Sequence, residues 1–228
     1  EAAHGEVGRP LARFAQWAWV SFKLAGLAAL LTTSIALLLG FSLRLRESVA
    51  LRLSARVVSL GYAVPGAVIA VGILLPVGWL QERFPQLGSA ALVTGTLFGL
   101  MYAYLVRFSA VALPSVEAGY ARVPTSIDET AHLLGASRRR MFLELHAPLL
   151  RRAGLAAMLL VFVDVMKELP ATLVLRPFNS DTLAVVAYQL ARDERLGEAA
   201  LPSLAIVLVG LLPVLLLSRS MRPDPARR

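Results

Sequence analysis

Asp164, Lys167 and Glu168 interrupt a stretch that is otherwise apolar, with LAAMLLVFV before them and LPATLVL after. On a continuous helix the three would share one face. Charges at membrane depth are costly and turn toward a partner or a water-filled path. One outcome is a mutual ion pair, Lys167 with Asp164 or with Glu168, that neutralises that cost. The other is a pathway or gate element, with Pro170 breaking the helix beside it. Carboxylates suit a hard trivalent ion, but the spacing assigns no metal. A second group of charges lies at residues 129–148, ETAHLLGASRRRMFLELHAP, with five ionised side chains and two histidines. Other chemistries are poorly represented. His4, His132 and His146 are too scattered for a metal cluster, and His132 and His146 read as surface or interface residues. There is no cysteine, no G-x-x-x-x-G-K-[ST] phosphate loop and no evident nucleophile–base pair. The chain therefore reads as neither an enzyme nor a nucleotide binder, and no cofactor is expected.

The elements that must position these charges are greasy. Of 228 residues, 57% are hydrophobic, and the mean hydropathy is +0.67. That exceeds an ordinary soluble domain. Crossing the hydrocarbon core takes about 20 apolar residues. Residues 24–43, 57–81, 84–105 with Val106, and 199–218 carry no charge and are long enough. Residues 151–175 form a fifth span that encloses the charged trio. Breaks at Pro65-Gly66, Pro76, Gly78, Pro202 and Pro213 are tolerable where neighbouring helices satisfy the freed backbone. The net charge is +8, but the charges fall between apolar runs, which indicates topology rather than nucleic-acid binding. With residues 129–148 inside, fifteen arginines lie on the inner side and six outside. The expected chain is multi-pass, with its N-terminus outside and its C-terminus in the cytoplasm. In that scheme residues 176–198 lie outside, with an amphipathic helix from Thr182 to Arg192 at an outer gate or docking surface. The chain begins at Glu1 and reads as a fragment, a processed form or a trimmed domain, with no signal peptide visible.

Local signals give residues 124–148 a shape. Ser126 and Glu129 stand at capping-box spacing, and Pro124 lies upstream, so a helix should start near Ile127. Gly135 provides an elbow. Ser137 can cap a second helix running to about Ala147, with Pro148 as its boundary. Leu133, Leu134, Met141, Phe142 and Leu145 would supply apolar contact, and Arg138, Arg139 and Arg140 charge. Composition alone fits either a segment lying on anionic lipid or a protein-docking loop.

The spacing carries a resemblance. Glu129-Thr130-Ala131, three residues, Gly135, nine residues, then Leu145-His146-Ala147-Pro148 resembles the EAA loop of ABC-importer permeases, whose pattern is E-A-A, three residues, G, nine residues, I-x-L-P. Glu129, Ala131, Gly135 and Pro148 are in register, while Thr130, Leu145 and Ala147 depart from it. The resemblance implies an all-α membrane protein of about five transmembrane helices with a cytoplasmic helix–turn–helix coupling loop. Its parts would be an external segment 1–16, a transmembrane permease domain 17–218 that includes the loop at 124–148, and a cytoplasmic tail 219–228. Glu129, Ala131, Gly135, Leu145 and Pro148 would form the ATPase-coupling loop. Asp164, Lys167, Glu168 and Pro170 remain the residues for a translocation path or gate. Lys167-Glu168-Leu169-Pro170-Ala171-Thr172-Leu173, Leu175-Arg176-Pro177-Phe178, Gly61-Tyr62-Ala63-Val64-Pro65-Gly66 and Tyr104-Leu105-Val106-Arg107-Phe108 are similar to ferric-iron-type permeases. Members of that group usually fuse two such halves, and this chain resembles the C-terminal one. The implied partners are a cytoplasmic ATP-binding-cassette dimer, a periplasmic or extracellular substrate-binding protein, a second permease half and membrane lipid, in the plasma (inner) membrane of a prokaryote. Sulfate, molybdate, thiamine or polyamine are alternative cargoes. An ion-coupled secondary transporter, or a scaffold that moves no cargo, are alternative functions.

Overall fold

The computed structural model describes residues 9–46 and 48–220, so the start of the expected external segment and most of the expected tail lie outside the described residues. Helices account for nearly all of it, and no strand occurs among the described residues. In chain order they are α1 (Arg9–Leu45), α2 (Val49–Ser59), α3 (Gly66–Arg83), α4 (Ser89–Val93), α5 (Leu97–Tyr120), α6 (Ser126–Leu133), α7 (Arg138–Arg140), α8 (Ala147–Leu149), α9 (Arg151–Met166), α10 (Pro170–Leu175), α11 (Leu183–Arg192) and α12 (Leu196–Ser220). A 3₁₀ turn at Pro85–Leu87 precedes α4, and a π-helical stretch, Met141–His146, joins α7 to α8.

The centre is a three-helix core of α1, α5 and α9, each packed on the other two. Small residues let them approach. Ala25, Ala28, Ala29, Thr32 and Ala36 are buried on one face of α1. Ala103 and Ala112 on α5 and Ala157 and Val161 on α9 are buried in the same core. Lipid tails supply no hydrophobic drive between helices, so close backbone packing must hold such a core together. Large apolar side chains elsewhere point outward, among them Leu30 and Leu38 on α1, Leu75 and Trp79 on α3, and Leu204, Leu208 and Leu211 on α12. A lipid environment suits that inside-out distribution.

Helices α1 and α5 are each long and apolar enough to span a bilayer. The other expected spans are modified. Residues 57–81 are not one helix: α2 ends at Ser59, a turn follows, and Pro65 opens α3. The expected span 84–106 is displaced toward the C-terminus. Gly88 and Gly95, both at positive φ, break the chain around α4, and α5 then runs to Tyr120. Arg107 therefore sits inside α5 rather than in a loop. Residues 151–175 are divided between α9 and α10 by a break at Lys167–Leu169. The break follows from Pro170, which has no amide to donate and occupies the first turn of α10. Residues 199–218 fall within α12.

Candidate functional site

Two polar constellations are built into this scaffold, one at the crossing of the broken helices and one at the end of the core.

The crossing lies about ten residues into α5, roughly 15 Å from its start. Arg107 Nη1 donates to Val64 O at 2.6 Å, in the turn between α2 and α3. Its Nε lies 3.3 Å from Glu168 Oε2 in the break between α9 and α10, at an angle that leaves that N–H without a hydrogen bond. The guanidinium also sits over the rings of Tyr62 and Phe108, at 5.5 and 5.9 Å from their centroids. Glu168 is buried and accepts from the Ala171 amide at 3.0 Å, so the carboxylate caps α10. Thr172 donates to Glu168 O at 2.9 Å, which leaves the Tyr104 hydroxyl to donate to Thr172 Oγ1 at 2.6 Å. Close approach of the strands of this knot needs glycine: a Cβ at Gly66 would fall inside the Glu168 carboxylate, and one at Gly61 inside the Val106 carbonyl.

The expected trio is thereby split. Because α9 ends at Met166, Glu168 leaves the face that Asp164 occupies and turns to Arg107. Lys167 pairs with Asp164 alone, at 2.7 Å. Pro170 is exposed at the head of α10, beside the break it causes. An open apolar groove of about 510 Å³ runs between α3 and α5, lined by Ile69, Ile73, Phe98 and Val106. It carries no charged side chain, so the chemistry of this region is confined to the crossing.

The second constellation sits where α1 and α5 end. Arg44 Nε donates to Asp128 Oδ2 at 2.5 Å. Its other nitrogens donate to Tyr120 O, Val123 O and Pro124 O at 3.3, 2.8 and 2.8 Å. Those carbonyls lie at the end of α5 and in the turn after it, so one side chain ties that turn together: Tyr120 O and Pro124 O also accept the Val123 and Ile127 amides, and Val123 O has the guanidinium as its donor. Asp128 belongs to α6. His146, from the π-helical stretch, places Nε2 2.8 Å from Asp128 Oδ1 in a bent rather than linear contact. The histidine is fully buried, with its ring 5.0 Å from Phe41 and 5.5 Å from Tyr120. Burial pushes it below the ordinary histidine pKa; Asp128 opposes that shift and Arg44 adds to it. His146 is therefore an interior residue and not the surface or interface residue expected. The wide π turn rotates it inward, a rotation that ordinary helical periodicity does not show.

From this root the expected elbow projects. Gly135 has φ +74°, a left-handed conformation that most residues resist. Ser137 caps the second limb, its Oγ accepting from the Arg140 amide at 3.3 Å. Leu133 and Leu134 are 89% and 81% exposed at the apex, and Arg138 and Arg139 are exposed beside them without an ion-pair partner among the described residues. Arg140 pairs with Glu144 at 2.8 Å, which raises its pKa. Glu129 and Pro148 are exposed, while Ala131 and Leu145 are half-buried. Three expectations change here. Ser126 and Glu129 do not form a capping box, because Thr125 is already helical and the carbonyls of Pro124 and Thr125 take the first amides of α6. Pro148 does not end the second limb, which continues to Leu149; the π turn ahead of it relieves the clash a regular helix would impose. Met141 is buried and Phe142 packs on Phe41 at 5.2 Å, so only part of the apolar set faces outward.

Beyond the core, α11 begins where expected. Thr182 caps it through the Val185 amide, Arg176 pairs with Asp181, and Leu183 N donates to Ser21 Oγ at 2.8 Å to fix it on α1. Sequence reasoning gave no site role to Arg44 or Asp128, and it noted Tyr104 and Arg107 only as part of a family-like motif. A signal existed for the arginines, since Arg107 interrupts an apolar helix and Arg44 stands in the last turn of another.

An all-α bundle with broken helices, a buried charge crossing and a projecting elbow defines a membrane permease. The family described as binding-protein-dependent transport system inner membrane component matches residues 26–222, and the chain belongs to it. It is thus a type I ABC-importer permease, a transport component of the inner membrane. The "Fe(3+)-transport system permease protein FbpB 2" of Haemophilus influenzae is 30% identical over 201 residues, covering 87% of this chain and 38% of that protein. The "Putative 2-aminoethylphosphonate transport system permease protein PhnV" of Salmonella typhimurium is 29% identical, covering 69% of this chain and 56% of that protein. The chain thus spans well under two thirds of the length of either relative. In fold it is similar to a bacterial ABC transporter that imports the acidic polysaccharide alginate, with TM-score 0.63 and 14% identity over 92% of this chain and 80% of that one. A bacterial alginate ABC transporter in complex with an alginate pentasaccharide-bound periplasmic protein gives TM-score 0.62 and 15% identity over 92% of this chain and 78% of that one.

Proposed function

We propose that residues 124–148 couple this permease to a separate cytoplasmic ATPase dimer, and that the cargo is ferric iron, delivered by a substrate-binding protein. In this reading a second permease half completes the pathway, the N-terminus lies outside, and the elbow faces the cytoplasm. The observation that carries the coupling role is the contrast within the loop. Its apex is bare, with two leucines and two arginines unmatched, while its root is tied by Arg44 to the ends of α1 and α5. A lever needs a free tip and a fixed base, and such a base would transmit the grip of a nucleotide-driven partner to the core helices. The FbpB 2 and PhnV relatives support two cargoes, and the ferric-type motifs around Lys167 and Arg107 favour the first.

The test is co-purification with candidate ATP-binding-cassette ATPase subunits, followed by ATPase assay in liposomes. Leu133→Asp with Leu134→Asp should abolish co-purification while the melting temperature stays within a few degrees of wild type. Gly135→Val should bind the ATPase and lose at least tenfold of its stimulation, because valine resists the left-handed turn. Full stimulation in both variants would refute the coupling role.

A further inference from the structure

We infer that the crossing of the broken helices presents a positive face to the transport path, so that cargo passes it as an anion; this rests on the transport reading above. The charges there balance on paper, Arg107 and Lys167 against Asp164 and Glu168, but they are not equally accessible. The Glu168 side chain is 6% exposed and is held between Arg107 and the Ala171 amide. Asp164 is 15% exposed and lies behind Lys167, whose side chain is 57% exposed. Each pair is thus a dipole with its negative end inward. Both carboxylates are engaged, and no group of three metal-ligating side chains occurs among the described residues. A bare trivalent cation would meet Lys167 first and find both carboxylates engaged, whereas an anion would meet an ammonium already held in place. Tyr62 is half exposed beside the same face, with its ring under the Arg107 guanidinium and within electrostatic reach of Lys167. A single negative charge approaching such a group in a partly desolvated path gains enough to decide selectivity. The chemistry accommodated is an oxyanion: a phosphonate, or a ferric ion wrapped in carboxylate ligands.

The absence of cysteine allows a direct test. Tyr62→Cys is introduced into the permease assembled with its ATPase in liposomes. The thiol is then modified at fixed ionic strength with an anionic and a cationic methanethiosulfonate reagent. The rate ratio, normalised to a free thiol in solution, should favour the anionic reagent by about tenfold, and Lys167→Gln should bring it close to one. Protection by 2-aminoethylphosphonate would identify the phosphonate source, and protection by ferric citrate the chelate. A ratio at or below one, a thiol that neither reagent reaches, or an anionic preference with no protection by either solute would overturn the inference. ATPase stimulation is measured on the same sample. Lost charge preference with stimulation intact refutes this inference alone, and lost stimulation with the preference intact refutes the coupling role alone.

Discussion

The crossing and the loop root use the same parts, an arginine, a carboxylate and backbone carbonyls, yet they are fastened differently. At the root, Arg44 makes four hydrogen bonds, to Asp128 and to three backbone carbonyls at the end of α5 and in the turn after it. At the crossing, Arg107 makes one, to Val64 O, and meets Glu168 at a poor angle. Aromatic faces take the remainder of its surface. A saturated guanidinium is rigid, whereas an under-bonded one can change partners at modest cost. The root is built to transmit movement and the crossing to permit it. That division matches what alternating access asks of a bundle whose broken helices meet at one crossing.

The sharpest way to break this comparison is to leave one charge of each pair alone. Arg107→Ala strands Glu168 in the interior and should cost about 4 kcal/mol, read as a lowered melting temperature in detergent. Arg107→Gln with Glu168→Gln should recover most of that loss, because two neutral partners avoid the stranded charge. If Arg107→Ala melted like wild type, the crossing would not be a buried pair at all.

A smaller effect is expected at the root. Asp128→Asn keeps the shape and one acceptor, and Arg44 keeps its three carbonyls, so the loss should be about 2 kcal/mol. Function should suffer more than stability, with ATPase stimulation falling several-fold as α6 loosens on its base. Equal losses of stability at Asp128 and Arg107 would erase the distinction between a fixed root and a releasable crossing.

How much of this was legible beforehand depends on the range of the interaction. The helical class, the elbow at Gly135, the cap at Ser137 and the helix beginning at Thr182 are local, and their residue types announce them. The break before Pro170 was also visible, but its consequence was not. Once α9 stops at Met166, Glu168 no longer follows helical spacing, and its partner lies 61 positions away at Arg107. Hydropathy likewise misplaces α5, because the uncharged window 84–106 is not the helix that forms. The real helix carries Arg107 inside, where Val64 O and Glu168 compensate it. His146 was misjudged for a third reason. A π turn changes which side chains share a face, so 3.6-residue periodicity misdirects at that point.

The smallest effect separates the two regions by pH, because only the root contains a histidine. Burial holds the folded pKa of His146 below its ordinary 6.5. Between those two values the unfolded chain binds a proton that the folded chain refuses, so stability rises with pH there. The contribution is fully present above pH 6.5 and is lost as the pH falls toward the folded value. For one group the slope cannot exceed about 1.4 kcal/mol per pH unit. Melting between pH 7.5 and 5.5 should therefore show a decline that begins near 6.5 and flattens in His146→Gln. The paired Gln variant of Arg107 and Glu168 should keep the wild-type slope, since it leaves the root untouched. A slope that survived in His146→Gln, or vanished in the crossing variant, would place the proton-sensitive group in the wrong half of this comparison.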